Sequence, residues 1–224
     1  MENKKFLTSY DNFLDIGLIN QIETYMAKAH RRPIWKTSHF WMECVRRATS
    51  PIAILELPPT FSTHIHERLK KTSAWKADQV NNSMYYLYSP GGYVAWHPDH
   101  TYEFASMIFL NKAWNLDWGG LHLYEDLNGL GIRAEVPTFN KCIINGGGIP
   151  HAVSALTPDA PFRRVIVTFG AKVSPKEEER RVQEFKKWRT KRNMDIKHIA
   201  DSDIRKLAMD AMKGPFGDTS SYSV

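Results

Sequence analysis

The sequence predicts a mainly β fold, a sandwich or jelly-roll barrel with flanking helices. Three observations predict it. Between residues 82 and 170 the chain breaks into eight short β-type runs. Turn-forming stretches punctuate them: "SPGG", "DWGG", "DLNGLG", "VPTFN", "NGGGIP" and "TPDAP". On either side of this region, apolar residues fall instead at helical spacing.

The first helix is expected over residues 15–30, where Ile16, Leu18, Ile19, Ile22, Tyr25 and Met26 recur near a 3.6-residue period. From 30 to 59, prolines and aromatics suggest irregular chain, with one short strand at 52–57. "TFSTHIHERLKKTSAW" reads as a second helix, with Thr60 or Ser62 as N-cap. The β-type runs follow at 83–88, 93–97, 104–110, 121–124, 132–136, 142–145, 152–155 and 165–169. After Lys172 the chain turns charged and helical in "SPKEEERRVQEFKKWRTKR". Its early acidic residues and later basic ones suit the helix dipole, and Val182, Phe185 and Trp188 form a docking stripe. The final "KGPFGDTSSYSV" reads as frayed chain. The expected organisation is one domain over 1–224: a mixed support region at 1–81, a β core at 82–172 and a helical extension at 173–224.

Composition narrows the class. A chain of 224 residues with 42% hydrophobic content can bury a proper core. The N-terminus "MENKKFLTSYDNFLD" has no apolar h-region, so no signal peptide is expected. No apolar run approaches the roughly 20 residues that span a bilayer, so no membrane partner is expected. Cys44 and Cys142 lie far apart with no CxxC, which points to a reduced, cytoplasmic setting. The formal net charge of +6 is too small and too spread out to argue for nucleic acid.

The chemistry concentrates in "YVAWHPDHTYEF". His97 and Asp99 are two positions apart, so on a strand they point to the same face. His151, 52 positions after Asp99, is the best candidate for a third ligand. Two histidines and a carboxylate form the facial triad of non-haem Fe(II) oxygenases, which leaves coordination positions open. A bidentate 2-oxo acid on such an ion needs a cation for its far carboxylate. "FRRVIVTFG" supplies Arg163 and Arg164, and an arginine fork grips a carboxylate with two bonds. Strand period lets only one face inward and leaves the choice open.

Four ordered pieces, "HPD", "IFLNKAWNLDWGGLHLYED", "PHAVSAL" and "RRVIVTFG", resemble the prolyl-4-hydroxylase-like branch of the 2-oxoglutarate- and Fe(II)-dependent dioxygenases. The match runs from about Tyr85 to Gly170. The resemblance implies a double-stranded β-helix core, with His97, Asp99 and His151 as iron ligands. It puts Arg164 at the 2-oxoglutarate 5-carboxylate, Arg163 being the alternative, and Tyr88 as a hydroxyl donor to the same cosubstrate. A second tyrosine found there in some members is matched by Phe109. It further implies Fe(II), 2-oxoglutarate and O₂, with ascorbate as reductant, and a small-molecule or peptide or protein substrate. The expected reaction is C–H hydroxylation, most naturally of an amino-acid side chain, with release of succinate and CO₂. Related halogenases replace the carboxylate ligand by Ala or Gly, so Asp99 speaks for hydroxylation.

Three other functions compete. A nucleic-acid demethylase of the same superfamily would carry R-x₅-R on the last strand, but Gly170 stands six positions after Arg164. A non-catalytic acid-binding barrel would not need the triad. A metal-dependent hydrolase would ignore 2-oxoglutarate. Among the remaining histidines, His100 is expected on the opposite strand face from Asp99, His122 as a barrel side chain, and His64, His66 and His198 on surfaces. Gly119 and Gly120 give backbone clearance at a strand start rather than a phosphate loop, since no GK[ST] follows. Gly146 to Gly148 form a turn, and Trp96, Trp114 and Trp118 are expected mainly as packing. Substrate-facing parts are expected at 30–75 and 100–103.

Overall fold

Two antiparallel sheets face one another in the computed structural model, which describes residues 5–29, 36–38, 52–74, 82–127, 131–146 and 148–192. Eleven strands build them: β1 (Phe6–Tyr10), β2 (Lys36–Ser38), β3 (Ile52–Glu56), β4 (Met84–Tyr88), β5 (Val94–His97), β6 (Phe104–Phe109), β7 (His122–Glu125), β8 (Ile132–Glu135), β9 (Cys142–Gly146), β10 (His151–Val153) and β11 (Arg163–Phe169). The larger sheet runs β1-β9-β6-β11-β4-β3-β2 and the smaller β5-β10-β7-β8. Apart from the β7–β8 hairpin, consecutive core strands from β4 to β11 alternate between the sheets, which is the double-stranded β-helix that the resemblance implies. All eight expected β-type runs from 82 onward are strands, with ends shifted by one or two residues, as hydrogen-bonded boundaries usually are.

Two strands were not expected. "FLTSY" forms β1 and closes the edge of the larger sheet against β9, with Phe6 opposite Gly146 and Tyr10 opposite Cys142. "KTS" forms β2 on the opposite edge, beside β3. The expectations for the rest of 30–51, for the C-terminal tail and for His198 lie outside the described residues.

The larger sheet is apolar on both faces. Its outer face packs on helix α1 (Ile16–Ala29) and helix α2 (Pro59–Lys70). There Ile19, Ile22, Met26, Ile65 and Leu69 meet Tyr85, Ile108 and Ile166 in one buried cluster. The inner face, turned to the smaller sheet, carries Tyr86, Tyr88, Met107, Phe109, Ile143, Val165 and Val167. Every residue of β6 is therefore buried. Helix α2 has Pro58 at the N-cap, two residues before Thr60, the nearer of the two expected caps, and no side-chain cap. Ser62 instead ties two elements, donating to the Leu57 carbonyl and accepting from the Ser83 N–H.

Helix α3 (Pro175–Lys191) fits the expected charged segment. The chain divides at this helix into two units, 1–185 and 186–224. In the first unit, Arg181 and Phe185 of α3 are buried.

Candidate metal centre

β5 and β10 are antiparallel neighbours, and His97 is the direct partner of His151. That register sets the two imidazoles side by side, with ring centroids 4.2 Å apart. The same device orients each ring. His97 Nδ1 donates to the Ala95 carbonyl at 2.7 Å, and His151 Nδ1 to the Ile149 carbonyl at 2.8 Å. A carbonyl oxygen only accepts, so Nδ1 holds the proton and Nε2 is the atom left for a metal. Both Nε2 atoms turn to Asp99, at 3.5 Å from Oδ1 for His97 and 3.2 Å from Oδ2 for His151. One donor atom from each of the three residues lies within 4.8 Å of the others.

The electrostatics of this cluster ask for a cation. Burial alone would raise the Asp99 pKa, but the charges and hydrogen bonds of His151 and His97 outweigh it and hold the carboxyl far below the ordinary range. Burial would lower His97, yet the hydrogen bond and charge of Asp99 win and raise it. A buried carboxylate facing two ring nitrogens is stable with protons there or with one metal ion in their place. The donor set, two imidazoles and one carboxylate, suits ferrous iron in a facial triad.

Asp99 reaches the cluster by a different route from the one expected. Strand alternation would have placed it, but β5 ends at His97. Asp99 sits in the following turn with φ of 43°, a left-handed conformation that Asp tolerates better than most residues. His100 is turned away, 3.6 Å from Glu178.

The two arginines part company on β11. Arg163 pairs directly with Tyr88 of β4 and points between the sheets. Its side chain is 1% exposed, and none of its three guanidinium nitrogens has a hydrogen-bond partner among the described residues. It lies over the rings of Tyr88 and Phe109, 4.7 Å and 5.2 Å from their centroids. Burial lowers the Arg163 pKa and raises that of Tyr88; each partly offsets the shift of the other. Arg164 points to the outer face, where it pairs with Glu23 of α1, whose other oxygen accepts from the Tyr85 hydroxyl at 2.9 Å. The resemblance puts Arg164 at a carboxylate in the barrel; its side chain lies on the face of β11 opposite to that of Arg163. Gly120, with φ of 63°, makes room for Arg163: a Cβ there would lie 3.1 Å from Arg163 Cδ and 3.0 Å from the Trp114 ring. Trp114 packs edge-on against Trp118 and donates to the Gly119 carbonyl, so these indoles are packing groups.

Several residues that shape the site carry no sequence motif. Arg181 of α3 donates to the Tyr102 carbonyl at 2.6 Å and to Glu177 at 2.8 Å. A Cβ on Gly148 would lie 3.0 Å from Arg181 Cδ. One arginine thus braces both the loop after Asp99 and the turn before His151. Glu178 adds a bond from the Thr101 hydroxyl. His122 is a fully buried barrel side chain, as expected, with its ring centroid 5.5 Å from that of His151. Burial, then the charges of His151 and Arg163, push its pKa well down.

No protein-family model and no curated protein matches the sequence. The fold does match solved structures. One is a Pseudomonas putida prolyl-4-hydroxylase, at 13% identity and a TM-score of 0.59, covering 76% of this chain and 94% of that one. A prolyl hydroxylase from Trichoplax adhaerens, bound to a hypoxia-inducible-factor peptide fragment, matches at 14% identity and a TM-score of 0.61, covering 77% and 86%. An oxidoreductase of the 2OG-Fe(II) oxygenase family from Burkholderia pseudomallei matches at 16% identity and a TM-score of 0.51, covering 75% and 86%. The chain has the fold of the 2-oxoglutarate- and Fe(II)-dependent oxygenases, in the form shared by prolyl hydroxylases.

Proposed function

We propose that this chain is an Fe(II)- and 2-oxoglutarate-dependent hydroxylase that acts on an amino-acid side chain, free or within a peptide. The observation that carries the reading is the pairing of a His97–Asp99–His151 donor set with a buried Arg163 whose guanidinium nitrogens have no hydrogen-bond partner among the described residues. A lone cation buried without hydrogen bonds is costly, and a carboxylate is its natural complement.

His97, Asp99 and His151 would hold the iron, and Arg163, rather than Arg164, the 5-carboxylate of 2-oxoglutarate. When bound, iron and 2-oxoglutarate supply the oxidation: a substrate C–H, 2-oxoglutarate and O₂ become the alcohol, succinate and CO₂. The Ala95 and Ile149 carbonyls keep the two imidazoles aimed before any ligand arrives. Asp99 would be the carboxylate ligand that halogenases of this superfamily lack, which favours hydroxylation. Arg163 sets the reach of the acid, so that a dicarboxylate is preferred to a monocarboxylate. Tyr88 and Phe109 wall its guanidinium from water and sharpen its charge. Tyr88, which the resemblance makes a hydroxyl donor to the same acid, also contributes to that wall through its ring.

The peptide bound to the Trichoplax adhaerens enzyme supports an amino-acid side chain as the substrate class. The cytoplasm, with ascorbate keeping the iron ferrous, completes the proposal. The test is succinate release from 2-oxoglutarate with Fe(II) and ascorbate, run beside anaerobic metal binding. Amino acids and proline-bearing peptides are then screened for the gain of one oxygen atom. A protein that binds iron at the triad yet never consumes 2-oxoglutarate would refute the assignment.

A further inference from the structure

His122 and Asn145 form a second polar pair inside the barrel that the iron-and-arginine reading leaves unused. His122 belongs to β7 of the smaller sheet, and Asn145 to β9 of the larger. Both are buried, at 0% and 3% exposure. Asn145 Nδ2 lies 3.2 Å from His122 Nε2. An amide nitrogen only donates, so Nε2 accepts and the ring proton sits on Nδ1. That N–H has no partner among the described residues, and neither has Asn145 Oδ1. Orphaned buried donors are rare, and each one needs a reason. Here two side chains, from β7 and β9, join Arg163 from β11 in the same unsatisfied state. His122 stands next to His151 and within electrostatic reach of Arg163.

We propose that His122, oriented by Asn145, is a second binding residue for the 2-oxo acid and donates Nδ1–H to a carboxylate oxygen of the acid between the metal and Arg163. This rests on the reading of the site as a 2-oxo acid chelate. The acid would satisfy the buried donors together: the fork of Arg163 at its far carboxylate and the imidazole N–H at the carboxylate nearer the metal. Asn145 fixes the tautomer, so the proton is on the useful nitrogen before the acid enters.

The test is calorimetric titration of 2-oxoglutarate, and of N-oxalylglycine, into the Mn(II)-loaded protein without O₂. Mn(II) affinity is measured separately for each variant. His122→Leu should weaken both acids by about ten- to a hundredfold, the size of a lost hydrogen bond to a charged group, and leave Mn(II) affinity unchanged. His122→Gln or His122→Asn, which keep an N–H donor, should restore most of the loss. Asn145→Leu, which leaves the imidazole in place without its anchor, should give a smaller loss of the same kind. Unchanged acid affinity in His122→Leu overturns the proposal. So does a fall in Mn(II) affinity of the same size, which would make His122 a support for His151 only, or equal weakening whether or not the new residue carries a donor. A wild-type protein that binds Mn(II) but neither acid overturns the underlying chelate reading. Wild-type binding with an indifferent His122→Leu overturns this inference alone.

Discussion

His97 and His151 are cross-strand partners, 54 positions apart in sequence and opposite one another in the β5–β10 register. A slip of one residue would turn the His151 imidazole to the other face of its sheet, so the His97–Asp99–His151 donor cluster is a direct consequence of strand pairing. Asp99, held in a left-handed turn two residues beyond His97, completes it.

The division of labour between Arg163 and Arg164 is directly measurable. Arg163→Gln should raise the KM for 2-oxoglutarate by about a hundredfold, since it removes both a charge and a bidentate grip. Arg164→Gln should leave that KM unchanged. It breaks a partly exposed pair with Glu23, for a stability loss of at most about 1 kcal/mol. Steady-state kinetics and denaturant melts on the two variants separate these effects, and the reverse pattern would return the role to Arg164.

Gly120→Ala tests the clearance around that guanidinium. The new methyl would need a positive φ and would crowd Arg163 and Trp114. The left-handed backbone alone should cost about 1–2 kcal/mol. The variant should therefore melt earlier and bind 2-oxoglutarate more weakly, with metal affinity retained. Unaltered 2-oxoglutarate binding would show that Arg163 is not held by this contact.

Arg181 should matter to the metal without touching it. Arg181→Ala removes the brace from both ligand-bearing loops, and the loss in Mn(II) affinity should be of the order of ten- to a hundredfold, as for other outer partners of metal ligands. Calorimetric Mn(II) titration checks it, and wild-type affinity in the variant would dismiss the brace.

The acidic partner in that brace carries a pH signature. The hydrogen bonds of Arg180 and Arg181, with their charges, hold the Glu177 carboxyl down to about 2, against an ordinary 4.5. A depressed folded pKa means the contribution is complete above the unfolded value and is lost as pH falls through the folded one. The difference in melting temperature between wild type and Glu177→Gln should thus hold steady from neutral pH to about 5 and shrink only below about 4. A difference that vanished already near pH 6 would contradict the pairing.

What the sequence made legible follows the physics of each element. The strands between 82 and 170 announce themselves because Gly, Pro, Asn and Asp must stand at their turns. His97, Asp99 and His151 are legible because metal ligation needs those side chains in a short motif and a distal partner. Arg163 could not be told from Arg164, because β11 lies mid-sheet and is apolar on both faces, so "VIV" shows no alternation. β1 and β2 escaped because short edge strands need little of the hydrophobic pattern that marks a core strand. Arg181, Glu23 and Asn145 act through partners far away in sequence.

The proposed function requires that His97, Asp99 and His151 share one ferrous ion. Anaerobic Fe(II) titration of the wild type beside His151→Ala and Asp99→Ala tests this most directly. One tight site is expected in the wild type, weakened well beyond the ten- to hundredfold typical of an outer partner in either variant. Equal iron affinity in all three proteins would contradict it.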